Sequence, residues 1–292
     1  MMKKVIGVIT ARMASRRLPG KVMKEIAGKS IFAHNVERMK LVRGISGIYL
    51  ATSEDPQNAS LIDEAKRLGC GWYAGSEQDI VDRHIKICEK ENADAVIRVT
   101  SDCPIFDFES ATRFIDEFQK DPTLDFIYVT NMTMITGTLS ELISYRALKK
   151  VHEIYRGAAV SLPIKENPEK FKMCGITIHP DLCRPEYRLT LDEPLDYELI
   201  NKIYSVLYKD KPLDLHEVYG WLDDNPAIAK INNRVVLKGC NVQNANLSDS
   251  PVFSIVKSAK GFVIYDEHKR VIEKDEFLKK FHKLFSTKNL ND

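Results

Sequence analysis

The sequence predicts an α/β fold with a mostly parallel central sheet and helices on both faces. Short apolar, β-branched runs alternate with longer segments in which apolar residues recur at helical spacing. With 44% hydrophobic and 29% charged residues among 292, the composition is that of an ordinary globular chain, and no apolar run approaches the roughly 20 residues of a membrane span. After Asn233 the sequence becomes rich in Asn, Ser and Lys, so we predict a main domain at residues 1–232 and a C-terminal appendage at residues 233–292.

Strands are predicted where short apolar runs are bounded by polar or turn-forming residues. The runs at 5–10 and 95–100 are apolar throughout almost their whole length, which is typical of strands buried on both faces. The other predicted strands are residues 47–52, 71–74, 126–130 and 172–178. Because helical segments separate most of these runs, the strands are predicted to lie parallel.

Helices are predicted where apolar residues recur on one face, and two of them have recognisable starts. Ser30 is a candidate N-cap, and Pro194 stands where the first turn of a helix tolerates proline. The predicted helices are the segment after Ser30 and residues 62–68, 79–91, 107–120, 140–155, 194–207 and 216–222. Residues 131–138 are predicted to form a loop or hairpin that covers a site. In the appendage, apolar runs at 252–256 and 261–265 and a basic amphipathic tail at 275–285 predict a hairpin and a helix used for packing or dimerisation.

Charge and cysteine usage restrict the classes of partner. Lys and Arg number 43 against 41 Asp and Glu, so no overall field favours nucleic acid or a membrane surface, and small anions are the better candidates. The six cysteines form no CxxC pair and no signal-peptide pattern precedes them. We therefore expect reduced thiols in a cytoplasmic protein, with neither disulfides nor a zinc site.

A basic loop directly follows the first predicted strand. Ligands of open parallel sheets lie beyond the carboxyl ends of the strands, and Gly20 permits close approach of a ligand to the backbone. This position suits a polyphosphate, whereas the alternative is a solvated basic loop. The loop matches neither the P-loop nor the dinucleotide-binding glycine pattern, so ATPase and dehydrogenase functions lack support. The cations concerned are Arg12, Arg16, Arg17 and Lys21.

Two aspartates are predicted to occupy comparable places further along the chain. Asp102 follows the strand predicted at 95–100, and Asp192 follows a short apolar run that we predict to be a strand. Carboxylates at strand ends are suitable ligands for Mg²⁺, although either residue alone could equally be a helix cap. Two of them in the same topological position favour a metal pair.

Several blocks resemble a known family. The segment 11–21 resembles the nucleotide-binding signature of the CMP-sugar synthetases, which include the acylneuraminate and 3-deoxy-manno-octulosonate cytidylyltransferases. The matching positions there are Arg12, Ser15, Arg16, Leu18, Pro19, Gly20 and Lys21. The blocks 51–55, 75–83, 98–104 and 188–198 most resemble the spore coat polysaccharide SpsF subgroup, so that the resemblance spans residues 3–208 in order.

The resemblance implies a Rossmann-like nucleotide-diphospho-sugar transferase fold that binds CTP and Mg²⁺. In such enzymes a sugar hydroxyl attacks the α-phosphate of CTP and pyrophosphate leaves, which would here supply a CMP-sugar for surface polysaccharide or glycoconjugate synthesis. By position, Arg12, Arg16 and Lys21 hold the triphosphate, while Asp102 and Asp192 coordinate Mg²⁺; the first four of these residues form the expected catalytic set. Displacement at phosphorus agrees with this set because it requires neutralisation of the leaving charge.

Other positions are expected to contact the nucleotide or to build its site. The expected nucleotide-binding set consists of residues of the basic loop and of five later positions. It comprises Arg12, Ser15, Arg16, Lys21, Thr52, Ser53, Ser76, Asp82 and Arg98. The carboxylate of Asp82 is expected to form an ion pair with Arg83 that fixes this region. Alternatively, Asp79 caps a helix, and Asp82 and Arg83 are exposed charges that need no ligand.

The segments 135–141 and 156–161 depart from the SpsF pattern, and both fall where the acceptor should bind. They retain Gly137, Glu141 and Arg156 but lose other polar groups, which implies another acceptor or weakened activity. Two alternatives therefore stay open: a nucleotidyltransferase that uses another NTP or a phosphorylated acceptor, and a homologue that binds a nucleotide or a partner without chemistry. The expected partners are CTP and a small sugar or sugar-acid acceptor, without nucleic acid or membrane, and a homodimer is possible.

Overall fold

A seven-stranded sheet forms the centre of the structure, a computed structural model. It describes residues 2–15, 17–130, 137–157, 159–184 and 186–235, and three short strands beyond them. The strands of the sheet are β1 (Val5–Thr10), β4 (Ile45–Ser53), β5 (Gly71–Gly75), β6 (Ala95–Thr100), β7 (Phe126–Val129), β8 (Glu141–Ser144) and β9 (Met173–Ile176). Two strands of two residues each form a separate hairpin, β2 (Glu25–Ile26) and β3 (Lys29–Ser30).

The order of the strands is β5-β4-β1-β6-β8-β7-β9. β8 runs antiparallel to both of its neighbours, whereas all the other pairings in this sheet are parallel. The predicted mostly parallel sheet is thus confirmed. Its topology places the carboxyl ends of β1, β4, β5 and β6 at one edge, where ligands of open α/β sheets bind.

Helices cover both faces of this sheet, as predicted. They are α1 (Ile31–Met39), α2 (Ala59–Arg67), α3 (Ile80–Glu91), α4 (Phe108–Lys120), α5 (Tyr145–Ile154), α6 (Leu162–Glu166), α7 (Pro194–Leu207), α8 (Leu215–Asp224) and α9 (Pro226–Ala229). One apolar cluster includes Phe32 of α1, Leu61 of α2 and Phe114 of α4. The other includes Val81 of α3 and Leu148 of α5. The sheet is therefore the middle of three layers.

A third apolar cluster lies beside the basic loop. Leu199 of α7 and Val218 of α8 belong to it together with Leu18, Ile105 and Leu191, which come from the segments that carry the candidate site residues. Burying these three leucine and isoleucine side chains removes apolar area from water, at about 25 cal/mol for each Å². α7 and α8 thereby hold the loops of the site against one another.

Helix starts follow the predicted capping chemistry. The Ser30 hydroxyl accepts a hydrogen bond from Ala33 N at 3.0 Å, and the Asp79 carboxylate accepts one from Asp82 N at the same distance. Each side chain satisfies a backbone donor that the first turn of a helix leaves unpaired. The alternative interpretation of Asp79 as a cap is thus confirmed.

The prediction of one helix over residues 140–155 was wrong in its first part. Residues Glu141–Ser144 form β8, which is buried along its whole length between β6 and β7. The helix begins only at Tyr145, after Ser144 has accepted a hydrogen bond from Ala147 N at 3.0 Å. The four residues Glu-Leu-Ile-Ser are too few to distinguish the helical from the strand period, so burial in the sheet decides their structure.

The strand predicted before Asp192 was also wrong. Residues 189–191 belong to none of the strands in the described part of the chain. Instead, Leu191 N and the Thr190 hydroxyl donate hydrogen bonds to Asp102 O at 2.8 and 3.3 Å. The segment therefore pairs with a loop rather than with the sheet.

Beyond residue 235 the structure describes only three antiparallel strands, β10 (Ser254–Ser258), β11 (Gly261–Tyr265) and β12 (Val271–Ile272). The first two confirm the predicted hairpin to within about two residues. The predicted basic tail at 275–285 lies outside the described residues, as does most of the loop predicted at 131–138. The division into residues 1–232 and 233–292 stays a prediction. None of the described helices is long and apolar enough to cross a membrane.

Replacing Gly137 by alanine should destabilise the fold. Its φ of 98° is unfavourable for an L side chain, and a Cβ there would lie 2.1 Å from Thr190 N. We expect a loss of about 2–5 kcal/mol in the free energy of unfolding, from backbone strain and overpacking together. Gly28→Ala is the matched control, because its φ is 77° and no atom lies within 4 Å of the added Cβ. Equal losses in both variants by chemical denaturation would contradict the proposed clash.

Candidate active site

Four loops meet at the edge where the parallel strands end. They follow β1, β4, β5 and β6 and comprise residues 11–20, 54–58, 76–79 and 101–107. The predicted site residues come mainly from these loops and from the segment that contains Asp192. The sheet topology therefore brings together positions that are far apart in the sequence.

The basic loop after β1 is shaped by hydrogen bonds to its own backbone and to Asn58. Met13 O accepts hydrogen bonds from Ser15 N and Gly20 N at 2.8 and 3.2 Å, and Gly20 has a left-handed φ of 64°. The buried Asn58 accepts from Met13 N at 2.8 Å and donates to Ser53 O at 3.0 Å. Asn58 thus ties the loop to the end of β4, a role that no sequence pattern indicated.

Lys21 lies between the two aspartates predicted to bind metal. Its ammonium Nζ is 2.8 Å from Asp192 Oδ1 and 3.3 Å from Asp102 Oδ2, and it donates to Leu191 O at 2.8 Å. All three charged side chains are at least partly buried, with 13% of the Lys21 side chain exposed. The structure therefore places Lys21, Asp102 and Asp192 together, as their positions after separate segments predict.

The pKa values within this group favour the charged forms. Burial alone would raise the pKa of Asp102, but the charge of Lys21 and hydrogen bonds from Thr100, Lys21 and Cys103 hold it below its ordinary value. Burial alone would likewise lower the pKa of Lys21, whereas attraction to Asp102 and Asp192 raises it overall. At neutral pH Asp102 is thus a carboxylate in contact with the Lys21 ammonium.

The other described cations near the site also face carboxylates. Arg12 forms an ion pair with Glu77, and Arg17 lies 3.1 Å from Asp192 and 3.4 Å from Glu193. The arginine side chains are 53% and 39% exposed, so these pairs are screened by water and contribute little to stability. An arginine in such a pair can exchange its carboxylate partner for a phosphate at a small cost in free energy. Arg16, predicted to bind the triphosphate, lies outside the described residues.

The donors at the site fit Mg²⁺ shared with a bound triphosphate. Asp102 and Asp192 each point one carboxylate oxygen at the same ammonium, so a single cation can contact both. Mg²⁺ prefers such oxygen ligands and commonly uses one or two carboxylates together with substrate phosphates and water. No group of three or more His, Cys, Asp and Glu side chains that could hold a metal occurs in the described ranges. The arrangement therefore does not resemble an all-protein metal cage.

A buried ion pair supports the backbone on either side of Asp192. Asp196 is fully buried and binds the guanidinium of Arg188 through both oxygens, at 2.8 and 3.0 Å. One of these oxygens also accepts hydrogen bonds from Asp192 N and Glu193 N at 3.0 and 2.9 Å. Sequence reasoning assigned no role to either residue. The signal available was the spacing of Asp196 three residues after Glu193, which is typical of a reciprocal helix cap.

Three of the predicted nucleotide-binding hydroxyls are in different environments. The Thr52 hydroxyl is buried and has no hydrogen-bond partner within the part of the chain that is described. Ser53 Oγ accepts from Asn58 Nδ2 at 2.8 Å, and Ser76 Oγ accepts from Gln78 N at 3.2 Å. Ser53 and Ser76 thus shape loops of the site, while contact of any of the three with a nucleotide stays a prediction.

The expected ion pair between Asp82 and Arg83 is not formed. The Arg83 guanidinium donates instead to Ser76 O at 2.6 and 2.8 Å and to Glu77 O at 2.9 Å. Adjacent residues of a helix point in different directions, so the two side chains do not meet. Arg83 therefore braces the loop before α3, and Asp82 stands in the first turn of that helix.

Arg98, predicted to bind nucleotide, pairs with Glu141 across the sheet. The two residues are opposite one another in β6 and β8, with 3.0 Å between guanidinium and carboxylate. Glu141 also accepts a hydrogen bond from Lys165 at 2.9 Å. Burial alone would raise the pKa of Glu141, but the charges of Lys165 and Arg98 lower it to about 2.

The family comparison agrees with this geometry. A family model described as cytidylyltransferase matches residues 6–219. This range includes every site residue described above. The chain belongs to the cytidylyltransferase family. The family predicted from the motifs is confirmed.

Two individual relatives match most of the chain, and a third matches less than half of it. The uncharacterized protein MJ1063 of Methanocaldococcus jannaschii is 30% identical over 239 residues, which are 80% of this chain and 96% of that protein. The spore coat polysaccharide biosynthesis protein SpsF of Bacillus subtilis is 27% identical over 236 residues, covering 78% and 98%. An 8-amino-3,8-dideoxy-manno-octulosonate cytidylyltransferase of Shewanella is 33% identical over 119 residues, covering 40% and 49%.

Solved structures confirm the Rossmann-like nucleotidyltransferase fold of this cytidylyltransferase. A cytidylyltransferase from Leptospira borgpetersenii is similar with a TM-score of 0.72 and 26% identity, covering 80% of this chain and 99% of that one. A CMP:2-keto-3-deoxy-manno-octonic acid synthetase complexed with CTP has a TM-score of 0.52 over 69% of this chain and 98% of its own. At 16% identity, that second similarity concerns the fold alone.

The Glu141 pair should make the stability of the chain depend on acid pH. Because the folded pKa of about 2 lies below the ordinary value of 4.5, ionised Glu141 stabilises the fold above pH 4.5 and loses that effect as the pH falls towards 2. We expect Glu141→Gln to lack this dependence, of which about 2 kcal/mol falls between pH 3 and 7. Denaturant titrations between pH 3 and 7 measure it. Glu117→Gln, which breaks a surface pair with Lys120, is the control, and parallel pH profiles of all three proteins would refute the assignment.

Proposed function

We propose that the chain transfers CMP from CTP to a hydroxyl of a sugar or sugar acid, releases pyrophosphate and uses Mg²⁺. The observation that carries this proposal is the position of Lys21 between Asp102 and Asp192, at the edge of the sheet and next to the basic loop. Both charge signs are concentrated at one point, as binding of a metal-triphosphate complex requires. A cytoplasmic location and a role in surface polysaccharide or glycoconjugate synthesis belong to the same proposal.

In the proposed reaction the cations exchange their carboxylate partners for phosphate oxygens. Lys21, Arg12 and Arg17 then hold the triphosphate, and the transfer of Lys21 frees oxygens of Asp102 and Asp192 for a metal ligand role. When bound there, Mg²⁺ would neutralise charge on the leaving pyrophosphate. Arg16 is proposed for the same triphosphate set on its position in the sequence.

The bond changes need no covalent enzyme intermediate. An acceptor oxygen forms a bond to the α-phosphorus while the bond from that phosphorus to the oxygen of the pyrophosphate breaks. The hydroxyl proton passes to solvent, and the leaving oxygen gains one negative charge in addition to those already on the β- and γ-phosphates. Because the basic side chains contact the triphosphate before the chemical step, they stabilise this developing charge in the transition state.

The acceptor class rests on the relatives rather than on recognisable acceptor contacts. The segment 135–141, which departs from the SpsF pattern, retains Gly137 and Glu141. Both have structural partners, since Glu141 pairs with Arg98 and Gly137 packs against the backbone of Thr190. Their presence therefore does not identify a sugar. The named relatives act in spore coat polysaccharide biosynthesis and on an amino octulosonate, which favours a sugar or sugar acid.

Nucleotide-dependent stabilisation tests the proposed substrate. Thermal unfolding with CTP, GTP, ATP or UTP, each with and without Mg²⁺, should show a selective rise with CTP that requires Mg²⁺. At a hundredfold excess over Kd the rise should be roughly 5–10 °C, since binding to the native state adds about 2.7 kcal/mol. Pyrophosphate release in an acceptor screen then tests catalysis. Selective stabilisation by another NTP would replace CTP as the substrate, and no response to any NTP would favour a homologue without chemistry.

Removing either carboxylate charge should stop turnover without unfolding the chain. We expect Asp102→Asn and Asp192→Asn each to lower kcat/KM for CTP by about 100- to 1000-fold, as removal of one preorganised electrostatic group commonly does. Circular dichroism checks the fold. The control is Asp116→Asn, which changes an exposed carboxylate on α4. A normal rate in either site variant would remove that residue from the proposed metal pair.

A further inference from the structure

Asn232 is a fully buried polar residue that no part of the proposed reaction has yet used. It lies just after α9 and outside the residues 6–219 that the family model matches. Its amide Nδ2 donates to Arg188 O at 2.9 Å and to Asp196 Oδ1 at 2.8 Å. These acceptors are 44 and 36 residues away in the sequence, so a late segment of the chain reaches back to the site.

The orientation of this amide follows from its partners. Both neighbouring atoms are acceptors, a carbonyl and a carboxylate, so only the NH₂ group of Asn232 can face them. The opposite orientation would place three acceptor oxygens in contact without a proton. In the described part of the structure Oδ1 has no partner, which shows that the amide is held by its two donated bonds alone.

Those two bonds act on the ion pair that supports Asp192. Asp196 receives Asn232 on the same oxygen, Oδ1, that accepts from Arg188 Nε. Its other oxygen accepts from the backbone N of Asp192 at 3.0 Å. The Arg188 guanidinium, in turn, lies 3.6 Å from Asp192 Oδ2. A change at Asn232 is therefore transmitted through one buried carboxylate to the residue that faces Lys21.

We propose that Asn232 is a positioning residue that fixes Asp196 and Arg188 and thereby orients the Asp192 carboxylate towards the cation site. This inference rests on the proposed function. Partners that orient a ligand commonly change metal affinity or activity by 10- to 100-fold when they are removed. Asn232 is thus part of the active site, although it lies beyond the family match and is the last residue of the predicted main domain.

The test compares Asn232→Ala with Asn225→Ala in the full chain. Asn225 also donates through its side-chain amide, to Trp221 O at 2.8 Å, but it does not touch the ion pair. We expect Asn232→Ala to lower kcat by about 10- to 100-fold and to raise the half-saturating Mg²⁺ concentration, with a smaller change in KM for CTP. Asn225→Ala should leave all three close to wild type.

A binding measurement separates positioning from a general loss of structure. Calorimetric titration with CTP is carried out with Mg²⁺ and, separately, with EDTA. Asn232→Ala should weaken binding only in the presence of Mg²⁺, whereas a merely structural defect would weaken both.

A second variant covers the case in which the alanine variant is unstable. Asn232→Leu keeps the branching at Cγ and the number of side-chain heavy atoms and removes the unpaired Oδ1, so it should fold while it still loses both donated bonds. It should reproduce the loss of kcat. Wild-type kcat and Mg²⁺ dependence in folded Asn232→Leu would overturn the positioning role. Absence of CTP binding and of pyrophosphate release in the wild type would instead overturn the proposed function.

Discussion

The contact of the Lys21 ammonium with the carboxylates of Asp102 and Asp192 is the interaction on which the architecture of the site depends. The contact joins three segments that are distant in the sequence. Each segment contributes one charged side chain to it. Two carboxylates this close would repel one another without a cation between them. The Lys21 ammonium therefore offsets part of the carboxylate charge, and any ligand that draws Lys21 away must bring another cation to the aspartates.

How far this could be predicted depends on whether local pattern or distant contact decides a feature. The first strand, the basic loop and Asp102 follow from short segments read in order, because strand ends in a parallel sheet meet at one edge. Asn58 and Asn232 could not be found in this way. Asn58 contacts Met13, which is 45 residues away, and Asn232 contacts Arg188, which is 44 residues away. An asparagine carries no local sign of such a contact.

The incorrect prediction for residues 141–144 also explains why Arg98 was predicted to bind nucleotide. If these residues are helical, no strand residue faces Arg98 on that side of β6, and its side chain is available to a ligand. As β8, the same residues place Glu141 directly opposite Arg98. The antiparallel strand thus supplies a buried partner for a cation whose position at the end of a central strand otherwise suggests nucleotide binding. Periodicity cannot choose between these outcomes for four residues, because burial in the sheet is a tertiary effect.

The described cations of the site share one property that connects the fold to the proposed chemistry. Arg12, Arg17 and Lys21 each contact a carboxylate of the chain itself. In the proposed reaction a triphosphate replaces one anion by another, so each cation exchanges its partner rather than losing it. The exposed arginine pairs exchange readily because water already screens them. Lys21 differs because its carboxylate partners are partly buried and because Asp192 also contacts Arg188 and Asp196. The rigid part of the site is therefore the carboxylate pair. The adaptable part is the basic loop, which is proposed to bind the nucleotide.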